Sequence, residues 1–222
     1  MRERRWLGVM LVLGILACLT AACGGGPGDA ASAGDADSHL RAGQEAAAAG
    51  NYDQAIQDFK QAIERNPEMA EAHFRLGNVY AEQGRLGEAE AAYRRSLELD
   101  SSNADARSNL GVVYFNLGRV EDAINEFREA LKLNPNDAEI HYNLGSVYAS
   151  SNRFEEALDE FEEAARLQPD LAEPYLGFGY TYKELGRDQE AIEALERFLS
   201  LSDNPEHRAL AEDLLQELRE TP

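Results

Sequence analysis

The chain has 222 residues, of which 44% are hydrophobic and 28% are charged, so it is long enough and apolar enough to bury a core. Its 41 acidic residues outnumber its 21 basic residues, and the resulting formal charge of −20 argues against binding to nucleic acid or to an anionic lipid surface. The only cysteines, Cys18 and Cys23, lie near the N-terminus, which excludes a disulfide scaffold, a thiolate metal site and a cysteine nucleophile from the rest of the chain.

The N-terminal residues have the pattern of an export signal. Three arginines lie within the first five residues, and residues 6–22 follow as 17 positions without a charge. Small residues directly before Cys23 and a glycine-rich run after it resemble the signal of a bacterial lipoprotein, in which this cysteine is lipidated. The resemblance implies a signal peptide over residues 1–22, with Cys18 as the alternative lipidation site. An uncleaved membrane anchor is the other interpretation of the apolar run.

Residues 23–37 are rich in Gly, Ala, Ser and Asp and contain no large apolar side chain. This composition predicts a flexible tether between the membrane and a folded body. If the host has two membranes, the lipoprotein resemblance implies a position on the outer membrane, facing the periplasm.

From residue 36 onward the sequence repeats every 34 residues. The glycine column consists of Gly43, Gly77, Gly111, Gly145 and Gly179. Within residues 138–171, two stretches of helical apolar spacing are separated by Ser151, Asn152 and Arg153, and Pro169 ends the second stretch. The pattern predicts a helix, a tight turn and a second helix in each unit, with Gly145 small so that the two helices approach closely. The predicted units are 36–69, 70–103, 104–137, 138–171 and 172–205.

The motif Leu-Gly-x-x-Tyr, which occurs at residues 76–80, 110–114 and 144–148, resembles the tetratricopeptide repeat. The first unit departs from the family pattern, because Ala42 and Ala46 replace the expected Leu and Tyr. The resemblance implies an all-α, right-handed superhelical solenoid of five helix-turn-helix repeats over residues 38–205. Leucines spaced four apart then predict a capping helix and tail over residues 206–222, with Asn204 as its N-cap.

In this family the first helices line a concave groove that usually holds a peptide or helix of a partner protein. The groove residues carried over from the family pattern are Phe74, Asn78, Val112, Phe115, Asn116, Tyr142, Ser146, Tyr180 and Lys183. The four aromatic residues among them are not expected between the two helices of a unit, so each either contacts the partner or packs against the neighbouring repeat. Some members clamp a C-terminal carboxylate with several groove cations, whereas Lys183 is the one clear cation here.

Neither a metal site nor an active site is predicted. His39, His73 and His141 occupy one column, and equivalent residues of stacked helices lie about 10 Å apart, whereas metal ligands lie within about 2.1 Å of the ion. The acidic residues between 155 and 163 alternate with apolar residues, which predicts a solvated face. The sequence has no phosphate-binding loop, dinucleotide glycine cluster, zinc-protease motif or nucleophile elbow. We therefore expect no cofactor and no catalytic activity.

Together these patterns predict a membrane-tethered scaffold or adaptor of the bacterial cell envelope that binds another protein. The resemblances leave two alternatives open: a pilotin-like assembly factor for a type IV pilus or secretion secretin, and a regulatory subunit of an envelope enzyme such as a wall hydrolase. Residues 138–171 contain eight acidic and two basic residues, which favours either steering of a basic partner or simple solubility.

Overall fold

The computed structural model describes residues 29–220 of the chain. Within that range it contains eleven α-helices and no β-strand, so the predicted all-α fold is confirmed. The helices are α1 (Asp29–Ala48), α2 (Tyr52–Arg65), α3 (Ala70–Glu82), α4 (Leu86–Leu99), α5 (Ala104–Asn116), α6 (Val120–Leu133), α7 (Ala138–Ser150), α8 (Phe154–Leu167), α9 (Glu173–Glu184), α10 (Asp188–Leu201) and α11 (Pro205–Glu220).

The helices form two compact units, which we call the N-terminal unit (up to Arg119) and the C-terminal unit (from Val120). In the N-terminal unit, α1 packs on α2, α2 on α3, α3 on α4 and α4 on α5. In the C-terminal unit, the same sequential packing runs from α6 to α11. Each unit is therefore a stack of helices in which every element packs on its neighbours along the chain.

The glycine column allows the two helices of a pair to approach closely. A Cβ atom built at Gly77 would lie 2.7 Å from ring atoms of Tyr93, and one built at Gly145 would lie 2.7 Å from ring atoms of Phe161. Distances this short do not occur between real Cβ atoms and their neighbours. The predicted role of Gly145 is thus confirmed: the absence of a side chain makes room for the aromatic ring of the following helix.

The turns between paired helices also repeat. One residue in each has a positive φ, namely Gly50, Gly84, Gly118, Asn152 and Gly186. An arginine follows the last four of these, and its guanidinium carbon lies 4.1–4.5 Å from the ring centroid of a tyrosine near the end of the preceding helix. Such contacts between a cation and an aromatic face contribute about 0.5–1 kcal/mol at exposed sites. The pairs are Arg85 with Tyr80, Arg119 with Tyr114, Arg153 with Tyr148, and Arg187 with Tyr182.

Helix α1 begins earlier than the composition indicates. It starts at Asp29, so residues 29–37 of the predicted tether are helical. Alanine, which is frequent in this segment, is the best helix former, and Ala36 is fully buried. Residues 1–28, including the signal and both candidate lipidation sites, Cys18 and Cys23, lie outside the described residues.

Helix α11 ends the described chain as a cap. The side chain of Asn204 accepts hydrogen bonds from the backbone N–H groups of Glu206 (3.0 Å) and His207 (3.2 Å), as its predicted role as N-cap requires. Leu214 and Leu218 are buried on the inner side of this helix. Between residues 29 and 220, no helix combines the length and the hydropathy needed to cross a membrane.

Candidate partner-binding surface

The residues predicted to line the groove differ widely in their exposure. Four of them are buried: Phe74, Asn78, Tyr142 and Ser146. Val112, Phe115, Tyr180 and Lys183 are partly exposed, and Asn116 is exposed. Only the second group presents side chains that a partner can contact without rearrangement.

Phe74 and Tyr142 belong to the core, which corrects the expectation drawn from the sequence. The ring centroid of Phe74 lies 6.1 Å from that of Tyr93, and the centroid of Tyr142 lies 6.0 Å from that of Phe161. Each contact joins the two helices of one pair. The sequence analysis expected Phe74 and Tyr142 to contact a partner or the neighbouring repeat instead. The reason is geometric: Phe74 and Tyr142 each lie three residues before a column glycine, so they reach the ring that this glycine admits.

In the N-terminal unit, a small polar network surrounds Asn78 of α3. Asn78 Oδ1 accepts a hydrogen bond from the Tyr93 hydroxyl (2.8 Å) and another from Asn109 Nδ2 (3.1 Å). Burial raises the pKa of Tyr93, so its hydroxyl remains a donor. Asn78 Nδ2 is buried and has no hydrogen-bond partner. Leaving such a donor unpaired costs about 1–3 kcal/mol.

Helix α5 carries the accessible part of the surface in this unit. Asn109, Val112 and Asn116 follow one another at helical spacing, and Phe115 lies beside them. Since Asn109 is hydrogen-bonded to Asn78, the buried network opens onto this strip. The strip combines amide groups with aliphatic and aromatic surface, which suits a peptide main chain and its apolar side chains.

In the C-terminal unit, the predicted groove cation is already paired. Lys183 Nζ of α9 lies 3.1 Å from Glu217 Oε1 of α11, and the Lys183 side chain is only 24% exposed. A carboxylate clamp that depends on this lysine would first have to displace Glu217. Ser146 is likewise occupied, because its hydroxyl donates to the carbonyl of Tyr142 (2.9 Å). Tyr180, which lies one turn before Lys183, is the partly exposed aromatic residue among those predicted for the groove in this unit.

The histidine column has a structural role that the sequence analysis missed. In successive pairs, the equivalent residue in the first turn of the first helix lies within hydrogen-bonding distance of the carbonyl oxygen six residues earlier, which anchors the helix to its preceding loop. The contacts are His73 with Pro67 (3.2 Å), Arg107 with Ser101 (3.3 Å), His141 with Pro135 (3.1 Å) and Tyr175 with Pro169 (3.5 Å). The constant spacing from the proline column was the available signal. No group of three potential ligands suited to a metal ion occurs in the described part of the chain.

Two of these histidines differ in their electrostatics. Burial lowers the pKa of His73. Burial also acts to lower the pKa of His141, but hydrogen bonds to Glu160 and to the Pro135 carbonyl outweigh it, and the pKa of His141 is raised. The decisive contact is short, since His141 Nδ1 lies 2.6 Å from Glu160 Oε2.

The acidic face of α8 is organised as predicted. Ala157, Phe161 and Ala164 are buried, whereas Glu155 and Glu162 are exposed. Other acids of the face form local ion pairs, such as Glu163 with Arg166. Most of the face is therefore a solvated charged surface, and Glu160 at its edge contacts His141 of α7.

Comparison with known proteins agrees with this architecture. Two sequence models described as tetratricopeptide repeat match the chain, one over residues 40–104 and 108–172 and the other over residues 148–214. A search of curated proteins finds no match.

Solved structures with a similar fold cover most of the chain. MamA is 25% identical, with a TM-score of 0.69 over 75% of this chain and 91% of that chain. YrrB, a TPR protein with an unusual peptide-binding site, is 23% identical, with a TM-score of 0.67 over 81% of this chain and 92% of that chain. The pilF protein of Pseudomonas aeruginosa is 22% identical, with a TM-score of 0.72 over 86% of this chain and 90% of that chain.

Proposed function

Because the chain belongs to the tetratricopeptide repeat family, we propose that it is a non-catalytic scaffold or adaptor that binds a segment of another protein. The observation that carries this proposal is the accessible strip of α5, which the hydrogen bond from Asn109 to the buried Asn78 anchors to α3. The accessible amide groups of Asn109 and Asn116 and the half-buried ring of Phe115 form a surface for a main chain and its apolar side chains. A peptide-binding site on the similar fold of YrrB is consistent with this proposal.

The binding mechanism follows from rigid helices. Asn109 and Asn116 offer amide groups to the carbonyl and N–H groups of the partner, and Val112 and Phe115 offer apolar contact. Because these side chains project from a helix packed on α4, they are held in place before the partner arrives, which reduces the entropy lost on binding. Aromatic residues are frequent among the few positions that dominate binding energy, so Phe115 is the first residue to change.

We also propose that the protein is tethered to a membrane of the bacterial cell envelope through lipidated Cys23. The small residues before this cysteine and the glycine-rich run after it support the proposal. A Cys23→Ser variant should lose lipid labelling and membrane retention in cell fractionation, whereas Cys18→Ser should keep both. The reverse pattern would move the modification to Cys18, and retention of both variants would indicate an uncleaved anchor.

A quantitative pull-down from detergent-solubilised membranes tests the binding proposal. The wild type is compared with Phe115→Ser and with Leu133→Ser, since Leu133 is an exposed leucine (45%) at the end of α6, outside the strip. We expect Phe115→Ser to lose the captured protein at least about tenfold, which corresponds to roughly 1.4 kcal/mol, and Leu133→Ser to retain it. Far-UV circular dichroism must show that both variants remain folded.

The identity of the captured protein separates the narrower functions. A secretin would favour the pilotin-like role, and a wall hydrolase whose activity changes on binding would favour the regulatory role. If Phe115→Ser captures the same protein as fully as the wild type does, the partner does not bind the α5 strip.

A further inference from the structure

A cleft lies between α10 and α11 in the C-terminal unit, outside the surface proposed above. Its volume is about 440 Å³, within the range of ligand-binding pockets. Leu199 of α10 and Leu215 of α11 contribute its apolar floor, and its rim carries Glu196, Glu212, Gln216 and Glu220. The cleft thus combines aliphatic contact with a concentration of carboxylates.

The 34-residue register explains why the cleft exists. Helix α11 has the position of a first helix in a further repeat, but within residues 29–220 it packs on α10 and no second helix of its own covers it. The register places Glu212, Asp213 and Gln216 where α9 has Phe178, Gly179 and Tyr182. In α9, Gly179 is the residue that meets the second helix of the pair, α10, at a Cβ distance of 2.5 Å from Leu195. Two of these register positions, Glu212 and Gln216, line the cleft, so its wall carries an acidic and an amide side chain where α9 has aromatic rings.

We propose that this cleft binds a short amphipathic helix of a partner protein that carries Lys or Arg residues beside an aliphatic anchor. The chain itself shows that a cation fits the rim, because Arg219 Nη2 of α11 lies 2.7 Å from Glu196 Oε1 of α10. Arg208 lies 3.9 Å from Glu212 and is also hydrogen-bonded to carbonyl groups at the end of α10. The three carboxylates of the rim face two guanidinium groups, those of Arg219 and Arg208, so the rim keeps a net negative charge.

The length of the cleft and the charge of its rim favour a short, basic helix over the other possible occupants. Residues 212 to 220 of α11 span about 12 Å at 1.5 Å per residue, which matches two to three turns of a helix. A second copy of this chain would bring another acidic rim to an acidic rim, and the chain carries a net charge of −20, so self-association is opposed. An anionic lipid surface is opposed for the same reason.

Fluorescence anisotropy with synthetic peptides tests the proposal at about 0.15 M salt. The probe is a fluorescein-labelled 14-residue helical peptide with a leucine stripe flanked by lysines, and its counterparts replace either the lysines with glutamates or the leucines with serines. The cleft variant is Glu196→Gln with Glu212→Gln. The matched control is Glu155→Gln with Glu162→Gln on the exposed face of α8, which changes the net charge equally. We expect the cleft variant to weaken binding at least about fivefold and the control to weaken it less than about twofold.

Because Glu196 also holds Arg219, Leu199→Glu provides a second variant that blocks the floor without touching this ion pair. We expect it to abolish the leucine-dependent part of binding, and we expect neither counterpart peptide to bind. Equal losses in the cleft variant and the α8 control would attribute binding to net charge and overturn the proposal. Full binding by Leu199→Glu, or a concentration-dependent dimer of the chain that Leu199→Glu disrupts in sedimentation, would overturn it as well.

Discussion

Gly145→Ala tests the packing that holds the C-terminal unit together. A Cβ atom at this position would lie 2.7 Å from Cδ1 and Cε1 of Phe161 and 3.2 Å from the carbonyl oxygen of Ala157. The ring of Phe161 has no room to withdraw, because its far edge faces Gly177 of α9, where a built Cβ atom would lie 2.6 Å from Cζ. The single added methyl group therefore has to displace a helix or distort the ring.

The expected magnitude follows from two opposing effects. Overpacking a core costs about 1–3 kcal/mol, and confinement of the ring on both sides places this site near the upper end. Alanine in place of glycine within a helix recovers about 1 kcal/mol. The net loss in the free energy of unfolding is then about 2 kcal/mol, which lowers Tm by roughly 4–8 °C for a chain of this size. Gly145→Leu should lower it further.

Thermal unfolding followed by circular dichroism at 222 nm measures this loss. The matched control is Gly87→Ala in α4, where a built Cβ atom meets nothing within 4 Å, so this variant should be as stable as the wild type or slightly more stable. Adding Phe161→Leu to Gly145→Ala should cost less than the sum of the two single changes, with a coupling of about 1 kcal/mol or more. The contact between Gly145 and Phe161 would be refuted if Gly145→Ala had the same Tm as Gly87→Ala. It would also be refuted if the effects of Gly145→Ala and Phe161→Leu were additive.

Two further predictions concern the turns and the histidine column. Asn152 has a φ of 60° in a column of turn residues whose other described members are glycines. Asn152→Gly should therefore raise the free energy of unfolding by up to about 1 kcal/mol, whereas Gly118→Ala should lower it by about 1–2 kcal/mol. Chemical denaturation measures both changes. Folding raises the pKa of His141, so protonated His141 stabilises the folded state. This stabilisation is fully present below the unfolded pKa of about 6.5 and is lost as the pH rises through the folded pKa. The difference in Tm between the wild type and His141→Gln should therefore be larger at pH 5.5 than at pH 8.5, and a difference that grew with pH would contradict the contact with Glu160.

The helices and their close approach follow from the sequence because the same packing requirement recurs every 34 residues. Gly145 and Phe161 are each one member of a column, so the repetition identifies their role without coordinates. The start of α1 does not follow in this way. Its alanine-rich segment has the composition of a linker, but alanine also favours helix, and burial of Ala36 is a tertiary effect that local composition does not contain.

The candidate surface is less predictable, because exposure depends on the size of neighbouring side chains and not on the position in the repeat alone. Asn78 and Val112 occupy the same position in successive repeats, yet Asn78 is buried and hydrogen-bonded to Tyr93, whereas Val112 remains partly exposed. Lys183 is a groove cation by position, but Glu217 of the cap helix has already neutralised it. A partner of the N-terminal unit therefore meets amide and apolar groups rather than charge, and the acidity of the chain acts elsewhere, on the outer face of α8 and at the rim of the α10–α11 cleft. Binding at the α5 strip should consequently vary little with ionic strength, whereas binding at the cleft should weaken as salt screens the carboxylates.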